Sequence, residues 1–277
     1  MKSMLLVLGA VSLAGCQSGQ AIGSRPVLDA AGSLTALQTR VDISANNIAN
    51  AQTVGFKATR VIAEDAPYQD RAAGDRHAAA RVGSGVIIAR TFPDMAQGPA
   101  IQTSRPLDLM IDGKGFFILQ DERPDGNVVY TRAGLFTLSS DGQMVSAGRA
   151  AVRMNPSISL PSDATQVNVN ATGRVAVLRP GSSSPIEVGQ IQIAFFVNPE
   201  GLRPIGGEMF VETAESGQPL DGDPGTDGRG MIRQGMLEGS NVNIAAEQID
   251  LARSAALYES ISRLAIGSAI LASAPTR

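Results

Sequence analysis

The spacing of the apolar residues changes twice along this chain, and that change restricts the possible folds more than any other feature. Between residues 27 and 50 the apolar side chains fall at steps of 3, 4 and 7, and they are Leu34, Leu37, Val41 and Ile48. This is the spacing of one face of an α-helix rather than the alternation of a strand. Ser44 occupies the one position of this face where the repeat has a polar residue instead of an apolar one. We therefore predict an N-terminal helix with a single apolar seam.

A second helical pattern lies near the C-terminus. Asn243 or Ser240 is a suitable N-cap, Glu247 lies in the first turns, and the period continues to about residue 271. Two neighbouring apolar stripes run along this segment, one formed by Ile244, Leu251, Ala255 and Tyr258 and the other by Leu257, Ile261, Leu264 and Leu271. The N-terminal helix can cover only one stripe, so the second stripe predicts contact with another molecule.

Between the helical patterns the apolar residues alternate or form short runs, as they do in strands. The segments are LDLMI, GFFILQ, VVYTR, LFTLS, QMVSA, QVNVN, RVAVLR, QIQIAFFV and MFVET. Asp-Gly pairs at Asp112, Asp125 and Asp141 favour tight turns between them, and Thr172-Gly173 separates two alternating segments that predict a hairpin. The fold class that follows is mixed α and β, with an antiparallel β-rich central domain between N- and C-terminal helices that pair.

These patterns divide the chain into segments. Residues 27–56 are predicted to form the N-terminal helix and its exit, residues 57–98 an irregular connector that ends in a strand at GSGVIIAR, and residues 99–230 the β-rich domain. The C-terminal helix is assigned to residues 231–277, after an exposed loop rich in Gly and Asp. Asn46, Asn47 and Asn50 tolerate left-handed backbone, so they predict the end of the first helix, and Gly55 continues the exit.

The first residues have the pattern of a bacterial lipoprotein signal. Lys2 precedes an apolar run that is too short to span a bilayer, and Leu13-Ala14-Gly15-Cys16 resembles a lipobox, where cleavage leaves a lipid-modified cysteine. Cys16 is the one cysteine of the chain, so its use for lipidation would leave none for a disulfide. We predict a signal peptide over residues 1–15 and a polar tether over residues 16–26. An ordinary cleaved signal and an over-extended start are the alternatives.

Charge and motifs argue against several classes of function. The chain has 23 Lys and Arg against 26 Asp and Glu, a net charge of −3, and no basic run, which argues against nucleic acid as a partner. The single histidine, His77, has no acidic or thiol companion at ligand spacing. The segments GSGV and GKGFF lack the context of a phosphate loop, and DGDPGTD lacks the EF-hand pattern. We predict no catalytic residue, no metal site, no cofactor and no enzymatic activity.

Several separate motifs resemble one family. ANNIANAQTVGFKATR, residues 45–60, is similar to the N-terminal signature of the bacterial flagellar rod and hook proteins. The segments IDGKGFFILQ and VVYTRAGLFTLSSDGQMVSAGR resemble the central core of that family, and QGMLEGSNVN resembles the lead-in to its C-terminal helix. The stretch VGQIQIAFFVNPEGLRPIGGEMFVET favours the distal-rod branch. The similarity extends over about residues 31–266.

The resemblance implies a structural subunit of the distal rod of the flagellar basal body, in the periplasm. Both chain ends would form a coiled-coil-like helical layer, and copies would stack head to tail into a helical tube that transmits torque from motor to hook. Implied partners are further copies, other rod and hook subunits, and basal-body ring proteins. The implied inter-layer joint contains Asn46, Asn47, Asn50, Gly55, Phe56 and Lys57, with Phe56 as its anchor. The implied subunit interface contains Leu34, Leu37, Val41, Ile48, Ile244, Leu251, Leu257, Tyr258, Ile261 and Leu264.

The lipoprotein-like leader keeps an alternative open. Members of the resembled family leave the cell without a cleaved signal, whereas a lipidated Cys16 would direct this chain through general secretion to a membrane. The alternative function is therefore a rod-like lipoprotein, tethered to a membrane, that acts as a periplasmic scaffold or binding module.

Overall fold

The computed structural model describes residues 25–66, 85–121, 128–148, 151–182 and 184–273. Within these ranges the chain forms two α-helices, α1 at Arg25–Ala49 and α2 at Ile244–Ser273, and a short 3₁₀ helix at Pro199–Gly201. The predicted signal peptide, Cys16, almost all of the predicted tether, and His77 lie outside the described residues. Both helices were predicted. The predicted helical patterns, residues 27–50 and residues 243 to about 271, end within two residues of the observed helices.

Eighteen strands lie between the two helices in the described ranges. They are β1 Thr59–Asp65, β2 Val86–Pro93, β3 Ala100–Gln102, β4 Leu109–Asp112, β5 Phe116–Gln120, β6 Val128–Thr131, β7 Phe136–Leu138, β8 Met144–Ser146, β9 Arg153–Met154, β10 Gln166–Val169, β11 Arg174–Leu178, β12 Ile186–Gln190, β13 Ile193–Phe195, β14 Arg203–Gly206, β15 Met209–Val211, β16 Leu220–Gly222, β17 Met231–Gln234 and β18 Met236–Glu238. The strand pairs are antiparallel throughout, which confirms the predicted β-rich antiparallel centre.

The two helices pack against each other and run in opposite directions. Their orientation follows from one end of the pair, where Ser44 near the end of α1 and Glu247 in the first turn of α2 line the same small cavity beside Arg60. The start of α2 is capped as predicted, because the side-chain oxygen of Asn243 accepts the backbone N–H of Ala246 at 3.1 Å. The chain thus returns to the end of α1 before its second helix begins.

Strands β1 and β2 form a hairpin that lies along α1. Thr59 pairs with Pro93 at one end and Asp65 with Val86 at the other, where the backbone N–H of Val86 donates to the Ser33 hydroxyl at 3.3 Å. The sequence predicted the second strand but assigned the first to an irregular connector, and that assignment was wrong for Thr59–Asp65. Val61, Ile62 and Ala63 are consecutive apolar residues, so they show no alternation by which a strand could be recognised.

The central domain is built on a nine-stranded sheet with the order β14-β15-β6-β5-β9-β8-β7, in which β13 also pairs with β5, and β16 pairs with β13. Strands β10, β11 and β12 form a second sheet of three strands. The hairpin predicted around Thr172-Gly173 is confirmed, since Val167 pairs with Val177 and Val169 with Val175. The pair Asp141-Gly142 lies in the turn between β7 and β8, which pair with each other.

The main sheet separates two apolar clusters, and β5 contributes to both. Phe117 and Leu119 belong to the larger cluster on one face, whereas Phe116 and Ile118 belong to the smaller, aromatic cluster on the other. Neighbouring side chains of a strand point to opposite faces of the sheet. Burial on both faces is therefore the reason why GFFILQ is a continuous apolar run rather than an alternating one.

Two predicted local assignments need correction. The segment assigned to the C-terminal helix, residues 231–277, begins with the strands β17 and β18, which pair with β4 and β3, and the helix begins only at Ile244. The pair Asp112-Gly113 does not close a hairpin, because β4 pairs with β17 and β5 pairs with other strands. Both errors concern partners more than 100 residues away along the chain, which no local pattern identifies.

Candidate functional site: a buried polar joint

The end of α1, the end of β2, a loop of the β-domain and the segment before α2 converge on one group of polar side chains. We call this group the joint, and it consists of Asn47, Lys57, Arg132, Glu238 and Asn241. Asn47, Lys57, Arg132 and Glu238 are buried. Because a buried polar group is costly unless it is paired, the contacts of these side chains determine how the helices are held on the β-domain.

Asn47 connects the last turn of α1 to the first residue of β1. Its side-chain oxygen accepts the backbone N–H of Thr59 at 2.9 Å, and its side-chain nitrogen donates to the carbonyl of Thr59 at 3.0 Å. The side-chain amide of Asn47 thus bonds both the N–H and the carbonyl of Thr59, as a neighbouring strand would. Asn50 has a local role, since its side-chain nitrogen donates to the carbonyl of Asn46 at 3.0 Å. Asn46 itself is exposed.

At Gly55 the backbone passes between the β-domain and the segment that precedes α2. Its φ is 73°, and its backbone N–H donates to the carbonyl of Glu238 at 2.8 Å. A Cβ atom at this position would lie 2.5 Å from the backbone nitrogen of Ala133. Both the left-handed backbone and this close approach require glycine. The neighbouring Phe56 is partly buried and belongs to neither apolar cluster of the β-domain.

Lys57 and Glu238 form the centre of the joint, and the side chains of both are fully buried. The Nζ of Lys57 donates to Oε1 of Glu238 at 2.5 Å and to the carbonyl of Ala96 at 2.7 Å. The backbone N–H of Gly98 donates to the same carboxylate oxygen at 3.0 Å. One ion pair therefore links the segment after α1, the segment after β2 and the end of β18.

Arg132 adds a second cation from the β-domain. Its Nε lies 3.2 Å from Oε2 of Glu238, an ion pair that lacks the alignment of a hydrogen bond. Its Nη1 and Nη2 donate to the carbonyls of Gly115 at 2.9 Å and Gly113 at 2.8 Å. Two buried cations thus share the single carboxylate of Glu238.

The burial of these cations has an electrostatic consequence. Removal from water lowers the pKa of Lys57 and of Arg132, and the charge of Glu238 opposes the shift at both residues. A buried charge without a counter-charge is strongly unfavourable. The joint therefore depends on Glu238 more than on either cation.

Asn241 extends the joint toward α2. Its side-chain oxygen accepts the backbone N–H of Ala58 at 2.8 Å, and its side-chain nitrogen donates to the carbonyl of Asp94 at 2.8 Å. Beyond it, Nη1 of Arg60 donates at 2.8 Å to the carboxylate of Glu247, which is buried in the first turn of α2. Both terminal helices are thus held by polar contacts at the same end of the helix pair.

The structure places the predicted interface residues around the helix pair rather than at its centre. The most buried positions with described side chains are small or polar, namely Ala36, Ser44 and Asn47 on α1 and Glu247 and Ser254 on α2. Leu34, Leu37, Val41 and Ile48 of α1 and Leu251 and Ile261 of α2 are partly exposed. Ile244, Leu257, Tyr258 and Leu264 are exposed, the last with 74% of its surface open. Among the described residues, much of the predicted apolar surface is therefore uncovered.

Sequence patterns did not identify three of the five residues of the joint, Arg132, Glu238 and Asn241. Arg132, Glu238 and Asn241 are polar residues, and such residues are usually exposed. One signal was present but weak, since Lys57 lies in the motif of residues 45–60 and Glu238 and Asn241 lie in QGMLEGSNVN. Spacing along the chain could not show that these two motifs meet.

The described ranges show neither a metal-binding arrangement nor a membrane span. No group of three or more His, Cys, Asp and Glu side chains there is arranged to hold a metal ion. Neither described helix is long and apolar enough to cross a bilayer.

Comparison with known proteins is consistent with the motifs and the joint. Residues 29–57, which end at Lys57, match the family model for the flagella basal body rod protein, and residues 110–177 match that for the flagellar hook protein FlgE/F/G D1 domain. The flagellar basal-body rod protein FlgG of Borreliella burgdorferi is 39% identical over 245 residues, which are 85% of this chain and 91% of the relative. FlgG of Caulobacter vibrioides is 37% identical over 244 residues, 85% of this chain and 92% of the relative. The rod protein FlgF of the same organism is 32% identical over 234 residues, 82% of this chain and 86% of the relative. This chain belongs to the family of flagellar basal-body rod proteins.

Proposed function

We propose that this protein is a structural subunit of the distal rod of the bacterial flagellar basal body. Many copies assemble into a helical tube that transmits torque from the motor to the hook. The similarity to rod proteins named FlgG extends over most of the chain, and identity to FlgG of Caulobacter vibrioides exceeds identity to FlgF of the same organism. The role is structural, not enzymatic.

The observation that carries this proposal is the uncovered apolar face of α2. Leu257 is 54% exposed and Leu264 74% exposed along a 30-residue helix that already packs against α1. Exposed apolar stripes of this kind are typical of contact surfaces between chains. Contacts between different faces of identical subunits produce open helical filaments when they do not close into a ring.

We propose further that α1 and α2 form a coiled-coil-like unit. On α2 the residues Glu247, Ser254 and Ile261 are buried or partly buried at intervals of seven. A repeat of seven residues is the spacing by which one helix keeps the same face toward a partner. In the assembly, the two helices form the inner layer, and the interface of each copy includes Leu34, Leu37, Val41 and Ile48 together with the stripes of α2.

The proposed architecture assigns a mechanical role to the joint. Residues 27–56 and the C-terminal helix belong to the inner layer, residues 99–230 form the outer β-domain, and residues 57–98 run between them. Torque that passes between the layers acts on the buried contacts of Lys57, Arg132 and Glu238. Further rod and hook subunits and the basal-body rings are the proposed partners, with the rod in the periplasm.

The sequence around Cys16 supports a second and narrower proposal, that the N-terminus is cleaved and lipidated there. A membrane-tethered scaffold would follow if the lipid held the chain away from the rod. The match to rod proteins over most of their length favours the rod subunit. Labelling with palmitate that disappears in Cys16→Ser, with motility unchanged, would support the tethered scaffold instead.

The proposal is tested on isolated basal bodies from cells that produce this chain. We expect mass spectrometry to find the polypeptide in rods that retain the hook, and deletion of its gene to leave basal bodies without a distal rod. The same spectra give the mass of the native N-terminal peptide and hence the state of Cys16. Intact basal bodies that lack the polypeptide would contradict the proposal.

A further inference from the structure

A groove opens beside the joint on the surface of the β-domain. It encloses about 320 Å³, and one wall is apolar, formed by Met95, Phe116, Phe196, Val197 and Pro199. Phe116 and Phe196 of this wall are themselves buried, whereas Val197 is 78% exposed, the highest value among the large apolar side chains of the described residues. Within the described part of the chain, Val197 is therefore the open position of the wall.

Two cations also line the groove, and the guanidinium of Arg132 lies 5.7 Å from the centroid of the Phe116 ring. The two cations are Arg132 of the joint and Lys114, and none of the described acidic side chains lines the groove. Arg132 is only 5% exposed, and it shares its one carboxylate, Glu238, with Lys57. Within the described ranges Lys114 has no ion pair. The groove therefore combines an exposed aliphatic side chain, Val197, with positive charge that the described part of the chain does not fully neutralise.

We propose that this groove binds a segment of a second copy of the chain, one that carries a carboxylate next to an exposed aliphatic side chain. The proposal rests on the function proposed above and specifies one of the contacts between copies. The carboxylate lies between Lys114 and Arg132, and the aliphatic side chain covers Val197.

Charge complementarity favours a second copy as the occupant. The whole chain has a net charge of −3 although this groove is positive, so the rest of the molecule carries the excess of carboxylates. Leu220, which is 51% exposed, lies next to the exposed Asp221, and Ile249 lies next to Asp250. The described surface thus offers the required pair of side chains. Opposite charges on facing surfaces select partner and register.

The proposed contact would also stabilise the joint. A carboxylate near Arg132 supplies a second anion to a cluster in which Lys57 and Arg132 share Glu238. Burial lowers the pKa of Arg132, and the charge of Glu238 opposes that shift. Contact between copies and order in the joint would therefore support each other.

The test places a photo-crosslinking amino acid, p-benzoylphenylalanine, at position 197 of the full chain in cells that assemble flagella. We expect a crosslinked product that contains two copies of this chain. Lys114→Glu should reduce that product about tenfold or more, because like charges then face each other, whereas Lys114→Arg should leave it within about twofold. Arg203→Glu, at an exposed position of β14 outside the groove, is the charge-matched control and should change the product little.

The outcomes separate this inference from the proposed function. If rods contain the chain but position 197 crosslinks to a different protein, the groove has another occupant and the inference is overturned. A two-copy product that Lys114→Glu leaves unchanged overturns it as well. If the chain is absent from rods altogether, the proposed function fails first and the contact between copies fails with it.

Discussion

Glu238 is the residue on which the architecture of this chain depends most. It is the single carboxylate between the buried cations Lys57 and Arg132, and its backbone carbonyl accepts the N–H of Gly55. Loss of one partner from a buried ion pair is costly chiefly because of the charge that is left behind. Substitutions at the two ends of the same pair should therefore have unequal effects.

We predict that Glu238→Gln lowers the free energy of unfolding by about 3–5 kcal/mol, because two buried cations then lack a counter-charge. Lys57→Met should cost clearly less, since Arg132 and Glu238 remain as a balanced pair. Urea denaturation at concentrations where the chain is monomeric measures both. Glu187→Gln, in an exposed pair with Arg174, is the control and should change stability by less than about 1 kcal/mol. Equal losses for Glu238→Gln and Lys57→Met would contradict this account of the joint.

A second prediction at this scale concerns Tyr130, whose ring packs against Phe196 at 4.8 Å. Burial, and then the charges of Asp221 and Glu212, raise the pKa of Tyr130 to about 12. Below pH 10 the phenol is neutral in both states, and between pH 10 and about 12 only the unfolded state loses the proton. The unfolding free energy should therefore fall with rising pH, by about 1.4 kcal/mol per unit for this group.

Tyr130→Phe should remove that part of the alkaline slope while keeping the ring. Unfolding free energies measured from pH 9 to pH 12 for both proteins give the comparison, with Tyr258→Phe on the exposed side of α2 as the control. Parallel curves for wild type and Tyr130→Phe would show that the pKa of this tyrosine is not raised in the folded chain.

Among the elements, α2 has two different faces. One face packs against α1 and contributes the buried Glu247 and Ser254, while the face that carries Leu257 and Leu264 stays open. A helix of this length gains most of its stability from packing, so the open face is available for contact without loss to the fold.

We predict that the double variant Leu257→Gln, Leu264→Gln leaves the unfolding free energy of the monomer within about 1 kcal/mol of wild type, because both side chains are exposed. The concentration needed for self-assembly should rise about tenfold or more, since two apolar contacts are lost. Sedimentation velocity over a concentration series measures the change. Ser260→Gln, at another exposed position of α2, should assemble normally. Normal assembly of the double variant would rule out this face as the contact.

The whole molecule is a β-domain to which both chain ends return at one place. α1 ends and α2 begins beside the same hairpin, so the helix pair and the β-domain meet at the joint. This arrangement predicts which truncations preserve the β-domain and which do not.

A chain that ends at Asn243 keeps Glu238 and Asn241 and loses only α2. We predict a soluble, folded β-domain that no longer assembles. A chain that ends at Gly235 also loses Glu238 and leaves Lys57 and Arg132 without an anion, so we expect it to unfold at much lower urea concentration or to aggregate. Circular dichroism with sedimentation velocity distinguishes the two. Filaments from the Asn243 truncation would show that assembly does not need α2.

Local sequence patterns predicted those elements whose apolar residues repeat with a regular period. Both helices, the hairpin around Thr172-Gly173 and the strands with a clear apolar run were predicted, because their periods reflect the faces that they bury. Strand β1 was missed because its apolar residues are consecutive, and β17 and β18 were assigned to the helix because their partners lie more than 100 residues earlier. Asn47 was predicted as a helix end, but its bonds to Thr59 were not.

The sequence by itself determined the two terminal helices, the β-rich centre between them, the family and the apolar stripes of the helices, since each of these depends on residues close together along the chain. Only the tertiary structure decided that Lys57, Arg132 and Glu238 form one buried cluster. The physical reason is that charged side chains avoid burial unless they find partners, and here the partners come from segments separated by up to 181 positions. The local periodicity of the sequence does not indicate contacts between segments so far apart.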